Sequence, residues 1–173
     1  VEECSEDQDT VRELFMRALN AALDELTAMR MREGESLKCD MLGKLDTIER
    51  LRGQIETRAP HVVEEYREKL SQRLSALLSG DVDEARFLTE VAIFADRAAI
   101  DEELVRLTSH IAQLRAATAM ENPVGRKLDF LVQELNREFN TIGSKASDAQ
   151  IAQCVVEAKG EIEKLREQVQ NIE

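Results

Sequence analysis

Apolar positions recur every three or four residues along most of the chain, and β-branched runs are scarce, so its segments read as amphipathic helices. From Asp9 to about Arg58, Leu14, Ala18, Ala22, Leu26 and Met29 mark one stripe, which Met41, Leu45, Ile48 and Ile55 continue. This predicts one very long helix or two collinear ones, weakened at Gly34, Gly43 and Gly53 by about 1 kcal/mol each relative to Ala. At ~1.5 Å per residue a continuous helix of this length would reach ~75 Å, so it is expected to pair with another long helix. Pro60 is expected to break the run and open the partner, whose apolar face is Val63, Tyr66, Leu70, Leu74 and Leu77. Residues 1–80 therefore read as a long antiparallel helical-hairpin arm.

Ser79-Gly80-Asp81 reads as a helix stop and Asp83 as the next cap, before a segment with Phe87, Val91, Phe94 and Ala95 inward. A helix from about Asp101 follows, facing Leu104, Leu107, Ile111 and Leu114 to the core. Asn122 and Pro123 suit the cap and first position of another, carrying Leu128, Leu131 and Leu135, with Gly143 as its stop. Ser147 and Gln150 have capping-box spacing ahead of Ile151, Val155, Ala158, Ile162, Leu165 and Val169. The expected fold is all-α, a body of about four helices over residues 81–173 plus the arm.

Composition agrees: aromatics are 3% of 173 residues, while Leu, Ala, Glu and Arg dominate. No apolar run is long enough to span a bilayer, and the acidic start VEECSEDQDT is unlike a secretory signal, so a cytoplasmic protein is expected. Cys4, Cys39 and Cys154 lack metal-site or disulfide spacing and read as thiols of a reducing compartment. The start at Val1 reads as that of a fragment. The net charge of −12 argues against a nucleic-acid partner until its distribution is considered. Residues 1–85 carry −8 and residues 147–173 carry −3, but residues 86–146 carry only −1. Phosphate contacts act within about a Debye length, ~8–10 Å, so a local basic cluster outweighs the total. Arg97, Arg106, Arg126, Lys127, Arg137 and Lys145 supply that cluster.

Two segments concentrate functional groups. In PVGRKLDFLVQELNREFNTIGSK, Glu134 and Glu138 are four apart and share a helix face, flanked by Lys127 and Arg137. Two carboxylates so placed can hold a divalent cation beside a phosphate, or form a solvated ion-pair face. In EVAIFADRAAIDEELVRLTSH, Glu103, Arg106 and His110 line one face; His110 reads as a metal ligand, a general base with an ordinary pKa near ~6.5, or a structural histidine. Thr141 to Lys145 lacks the GxxxxGK[ST] pattern and a preceding strand, which excludes a P-loop.

These two segments, with the terminal EIEKLREQVQNIE, resemble the C-terminal portion of the YicC family of bacterial proteins, specifically over residues 86–173 and more loosely through 1–85. Family members carry a further N-terminal domain. The resemblance implies a stress-associated, metal-dependent endoribonuclease using Mn²⁺ or Mg²⁺, acting on RNA, and assembling as a homo-oligomer, with a hexamer as the implied state. On that reading Glu103, His110, Glu134 and Glu138 supply the metal ligands, because hard divalent cations need several oxygen donors. His110, Glu134 and Glu138 are the implied catalytic groups, and the six basic residues hold backbone phosphates. Ala99 departs from the Asp common in the family, and Phe139 from the usual Ala. The alternative is a non-enzymatic oligomerisation scaffold or RNA-binding adaptor in which the same residues form structural ion pairs.

Overall fold

The protein is described by a computed structural model covering residues 8–77, 83–120, 124–170 and 172. It is all-α. Five helices follow one another among the described residues: α1 (Gln8–Leu77), α2 (Glu84–Ala98), α3 (Asp101–Ala117), α4 (Gly125–Lys145) and α5 (Ala149–Val169). No helix among them is long and apolar enough to cross a membrane. The chain divides into two compact units, Val1–Asp40 and Met41–Glu173.

In the first unit α1 is described from Gln8 onward, and from Asp9 its side chains are exposed except for half-buried Leu37 and Lys38. The stripe foreseen there stays open to solvent, with Leu14 58%, Leu26 46% and Met29 50% exposed. The rest of α1 belongs to the second unit, and Met41, Leu45, Ile48, Leu51, Ile55 and Val62 are buried there.

The expected hairpin is not formed, because Pro60 lies inside α1 and the helix continues through it. A proline deprives the carbonyl four residues earlier of its donor. Pro60 and Glu56 are both exposed, so water can satisfy the freed Glu56 carbonyl. Ile55 and Val62, buried on either side, hold the helix in register across the gap. The stop foreseen at Ser79 to Asp81 and the Asn122–Pro123 start lie outside the described residues.

Asp83 caps α2, its carboxylate accepting from Ala85 N at 3.1 Å and Arg86 N at 3.3 Å. No residue of α2 is fully buried; half-buried Phe94 stacks on Tyr66 with ring centroids 3.7 Å apart. Helix α3 has no side-chain cap, but Asp101, Glu102 and Glu103 in its first turn oppose the positive end of the helix dipole. The inward faces of α3, α4 and α5 are those the spacing predicts. Leu104, Leu107, Ile111 and Leu114 are buried, as are Leu128, Leu131 and Leu135, and as is every apolar residue foreseen on α5.

Two helix ends differ from expectation. Gly143 does not end α4, which runs on to Lys145. A Cβ at Gly143 would lie 3.2 Å from Val155 Cγ1, so the glycine permits close approach to α5 rather than a stop. The cap of α5 is Asp148, not Ser147, which has φ 31°. Asp148 accepts from Gln150 N at 3.0 Å and Ile151 N at 2.9 Å, and also takes Arg58 Nη2 at 2.8 Å. A carboxylate there serves both the helix end and a cation on α1, which a serine hydroxyl cannot.

Arg58 holds the Asp148 carboxyl below the usual carboxylate range. A depressed carboxyl contributes stability above its unfolded pKa of ~3.9, lost as pH falls through the lower folded value. Asp148→Ala should therefore cost about 1–2 kcal/mol at neutral pH in urea melts. Asp148→Asn, which still caps but cannot pair, should cost less. The difference between the Asp148→Asn variant and wild type should fade as pH drops below about 4 and vanish below the folded value.

Candidate functional site

Helix α4 has α3 on one flank and α5 on the other, and its polar residues divide accordingly. Lys127, Glu134, Glu138 and Lys145 are spaced by seven, four and seven residues, which sets them on the α3 flank. His110, in the middle of α3, comes from the facing helix. One ligand atom each of His110, Glu134 and Glu138 lies within 4.8 Å of the others. Glu138 is buried, at 2% exposure, whereas Glu134 and His110 are half-buried.

A buried carboxylate needs compensation. Arg106 provides it for Glu138 with Nη1 3.5 Å from Oε1, while its Nη2 pairs with Glu102. The Glu102 carboxylate, followed by Glu138, holds the Arg106 guanidinium above its usual range. Glu134 has a longer contact, with Arg137 Nη1 at 3.8 Å. His110 Nδ1 is buried without a hydrogen-bond partner. Two carboxylates and an imidazole with an unpartnered buried nitrogen are a donor set that fits a divalent cation.

Glu103, expected among the metal ligands, does not join this group. It is buried at 4% exposure, and its Oε1 accepts from Lys145 Nζ at 2.8 Å while its Oε2 has no partner. Lys145, expected at a phosphate, is thereby committed to Glu103 in the last turn of α4. Arg106 is committed to Glu102 and Glu138. Arg126 and Lys127 on α4 and Arg97 at the end of α2 are exposed and form no ion pair among the described residues. Ala99 is exposed at the C-cap of α2, outside the group, and Phe139 is wholly buried in the core.

A larger cavity lies elsewhere. About 880 Å³ opens between α1 and α5, lined by residues such as Gly53, Ile55, Thr57, Ile151 and Cys154. Arg50, Arg58 and His61 also line it, but no carboxylate does, so it offers no hard-cation donor set like that between α3 and α4.

A sequence model of the family described as Endoribonuclease YicC-like, C-terminal, matches residues 55–173. The chain belongs to that family. The YicC-like match takes in part of α1 and all of α2–α5, including every member of the group between α3 and α4. Two curated relatives carry the name probable endoribonuclease YicC. The one from Clostridioides difficile (strain 630) is 47% identical over 175 residues, and the one from Haemophilus influenzae is 38% identical over 174. Each match covers the whole of this chain and 60% of the relative's own length.

Lys145→Met leaves the Glu103 carboxylate buried without its ammonium. The expected cost is about 2 kcal/mol, below the ~3–5 of a fully buried pair because the lysine side chain is 37% exposed. The double variant Glu103→Leu/Lys145→Met should recover most of that loss in urea denaturation, since no unpaired charge remains.

Proposed function

We propose that the chain carries the cleavage site of a metal-dependent endoribonuclease, with His110, Glu134 and Glu138 as its centre. The observation that supports this reading most is the meeting of those three ligand atoms within 4.8 Å in a chain of the YicC-like family. Two carboxylates this close, one of them buried, repel each other, and a divalent cation offsets that repulsion. Mn²⁺ or Mg²⁺ is the expected ion, because carboxylates dominate the donor set.

When bound, such a cation supplies Lewis acidity and charge neutralisation at a phosphodiester. The residues of the chain divide the remaining work. Glu138, buried and held by Arg106, is a fixed ligand whose orientation does not depend on solvent. Glu134 and His110 are half-buried, reach solvent, and can accept the proton of an attacking water or ribose 2′-hydroxyl. Arg137, within 3.8 Å of Glu134, and Lys127, two turns or ~10 Å along α4, are placed to receive phosphates on either side. The Glu103–Lys145 pair acts at one remove, bracing the C-terminal turn of α4 against α3.

A homo-oligomer is part of the same reading, with the hexamer carried by the family resemblance. Its support in the chain is the exposed stripe of Leu14, Leu26 and Met29, which a monomer leaves in water. A cytoplasmic location accords with an RNA substrate. The same stripe favours the second reading, a scaffold or RNA-binding adaptor without catalysis, in which the ion pairs between α3 and α4 are structural.

Metal dependence separates the two. Labelled structured RNA should be cut by this chain with Mn²⁺ or Mg²⁺ and left intact in EDTA. Glu134→Gln and Glu138→Gln should each lower the rate at least ~100-fold with unchanged helix content by circular dichroism. Full activity in both variants would sink the assignment, and RNA binding without any metal-dependent cutting would favour the adaptor.

A further inference from the structure

The α5 flank of α4 carries a second polar concavity, of about 390 Å³, within the size range of small-ligand sites. Gln133, Asn136, Arg137, Asn140 and Thr141 of α4 and Arg166 of α5 form its walls, over Val132 and Ile162. In a chain of net charge −12, this groove's lining holds two arginines and no carboxylate. Their ion pairs, Arg166 with Glu163 at 3.7 Å and Arg137 with Glu134 at 3.8 Å, are long ones on exposed arginine side chains, which leaves guanidinium donors for an anion. Its amides are ordered. Lys159 Nζ donates to Asn140 Oδ1 at 2.8 Å, and Asn140 Nδ2 donates to Asn136 Oδ1 at 3.3 Å. That chain of bonds runs one way, so its far end is the Asn136 amide nitrogen, a donor.

Arg137 belongs to both places. It lines this groove, and its Nη1 is 3.8 Å from Glu134 Oε1 of the group on the opposite flank. An α-helix with its side chains is ~10–12 Å across, a span that one or two nucleotides of an extended strand can cover. Arg126, eleven residues before Arg137, falls on the same crest of α4.

We propose that the α4/α5 groove is a subsite for single-stranded RNA, holding a nucleotide adjacent to the one at His110, Glu134 and Glu138. The placement of this nucleotide next to a cleavage site rests on the endoribonuclease reading, but the groove's affinity for RNA stands or falls separately. Arg137 and Arg166 take the phosphate, and the Asn136 amide nitrogen, the free donor at the end of the Lys159–Asn140–Asn136 chain, meets an acceptor on the edge of the base. The strand crosses the crest of α4 at Arg137. With few aromatics to stack on, amide contacts of this kind are the available means of base preference.

The test uses a short fluorescein-labelled single-stranded oligoribonucleotide, with binding followed by anisotropy in EDTA and cleavage followed in Mn²⁺. Arg166→Ala/Asn140→Leu changes only exposed side chains and should keep the helix content of the parent. It should raise Kd about tenfold and reduce the slope of log Kd against log salt by about one. In Mn²⁺ the same variant should raise KM and leave kcat near that of the parent. A Kd within about twofold of the parent with an unchanged salt slope overturns the subsite. If the parent cuts RNA while the variant's KM is unchanged, the subsite fails and the nuclease reading stands. If the parent binds through the groove but never cuts with metal, the groove is upheld as an RNA site and the nuclease reading fails. A parent that neither binds nor cuts overturns both.

Discussion

The stripe of Leu128, Leu131, Leu135, Phe139 and Ile142, buried between α3 and α5, is the constraint on which the second unit depends. An apolar face of that breadth must be covered on two sides, and covering it fixes the rotation of α4 about its axis. Once that rotation is set, the polar residues have no freedom of placement. Glu134, Glu138 and Lys145 fall toward α3, and Asn136 and Asn140 fall toward α5. Arg137 is left on the crest between them. Close approach at Gly143, where Val155 occupies the space a side chain would take, locks the α5 side.

The cost of that placement is the burial of Glu103 and Glu138 in a helical core. Each is matched by a cation drawn from a different part of the sequence: Lys145 for the first and Arg106 for the second. Neither match is complete. Glu103 Oε2 and, beside Glu138, His110 Nδ1 are buried and lack partners. Buried polar atoms of this kind are seldom left without a partner, whether protein, water or an ion, and Arg52 Nε is a third among the described residues.

Most of the helical architecture was legible from spacing, because each inward face of α3, α4 and α5 is a regular repeat of Leu, Ile and Val. What spacing could not convey was context. Pro60 reads as a breaker, yet its neighbours Ile55 and Val62 are anchored in the core and its own ring faces water, so the helix survives it. Ser147 and Asp148 both suit a cap; the choice between them is made by Arg58, 90 residues away in sequence. The sequence left open whether His110 meets Glu134 and Glu138, since they lie on different helices and each helix face taken singly is an ordinary charged surface; only the fold brings them together. The diversion of Glu103 to Lys145 had no signal in spacing at all, because the two are 42 residues apart on different helices. The Asn136–Asn140 ladder was visible as an i, i+4 pair, but nothing in the sequence placed Lys159 beside it.

The first unit behaves by different rules. Between Asp9 and Asp40 the helix buries almost nothing, so its order comes from local hydrogen bonds and helix propensity alone. Such a segment has no tertiary packing of its own to hold it, so its turns can fray and re-form on the helix–coil timescale of a short peptide, within about a microsecond. Gly34 is the weakest of those turns, with open space where a side chain would be and no packing to compensate. In an isolated chain the amide protons there would exchange with solvent on the timescale of helix fraying, while those of α3 to α5 wait for global unfolding.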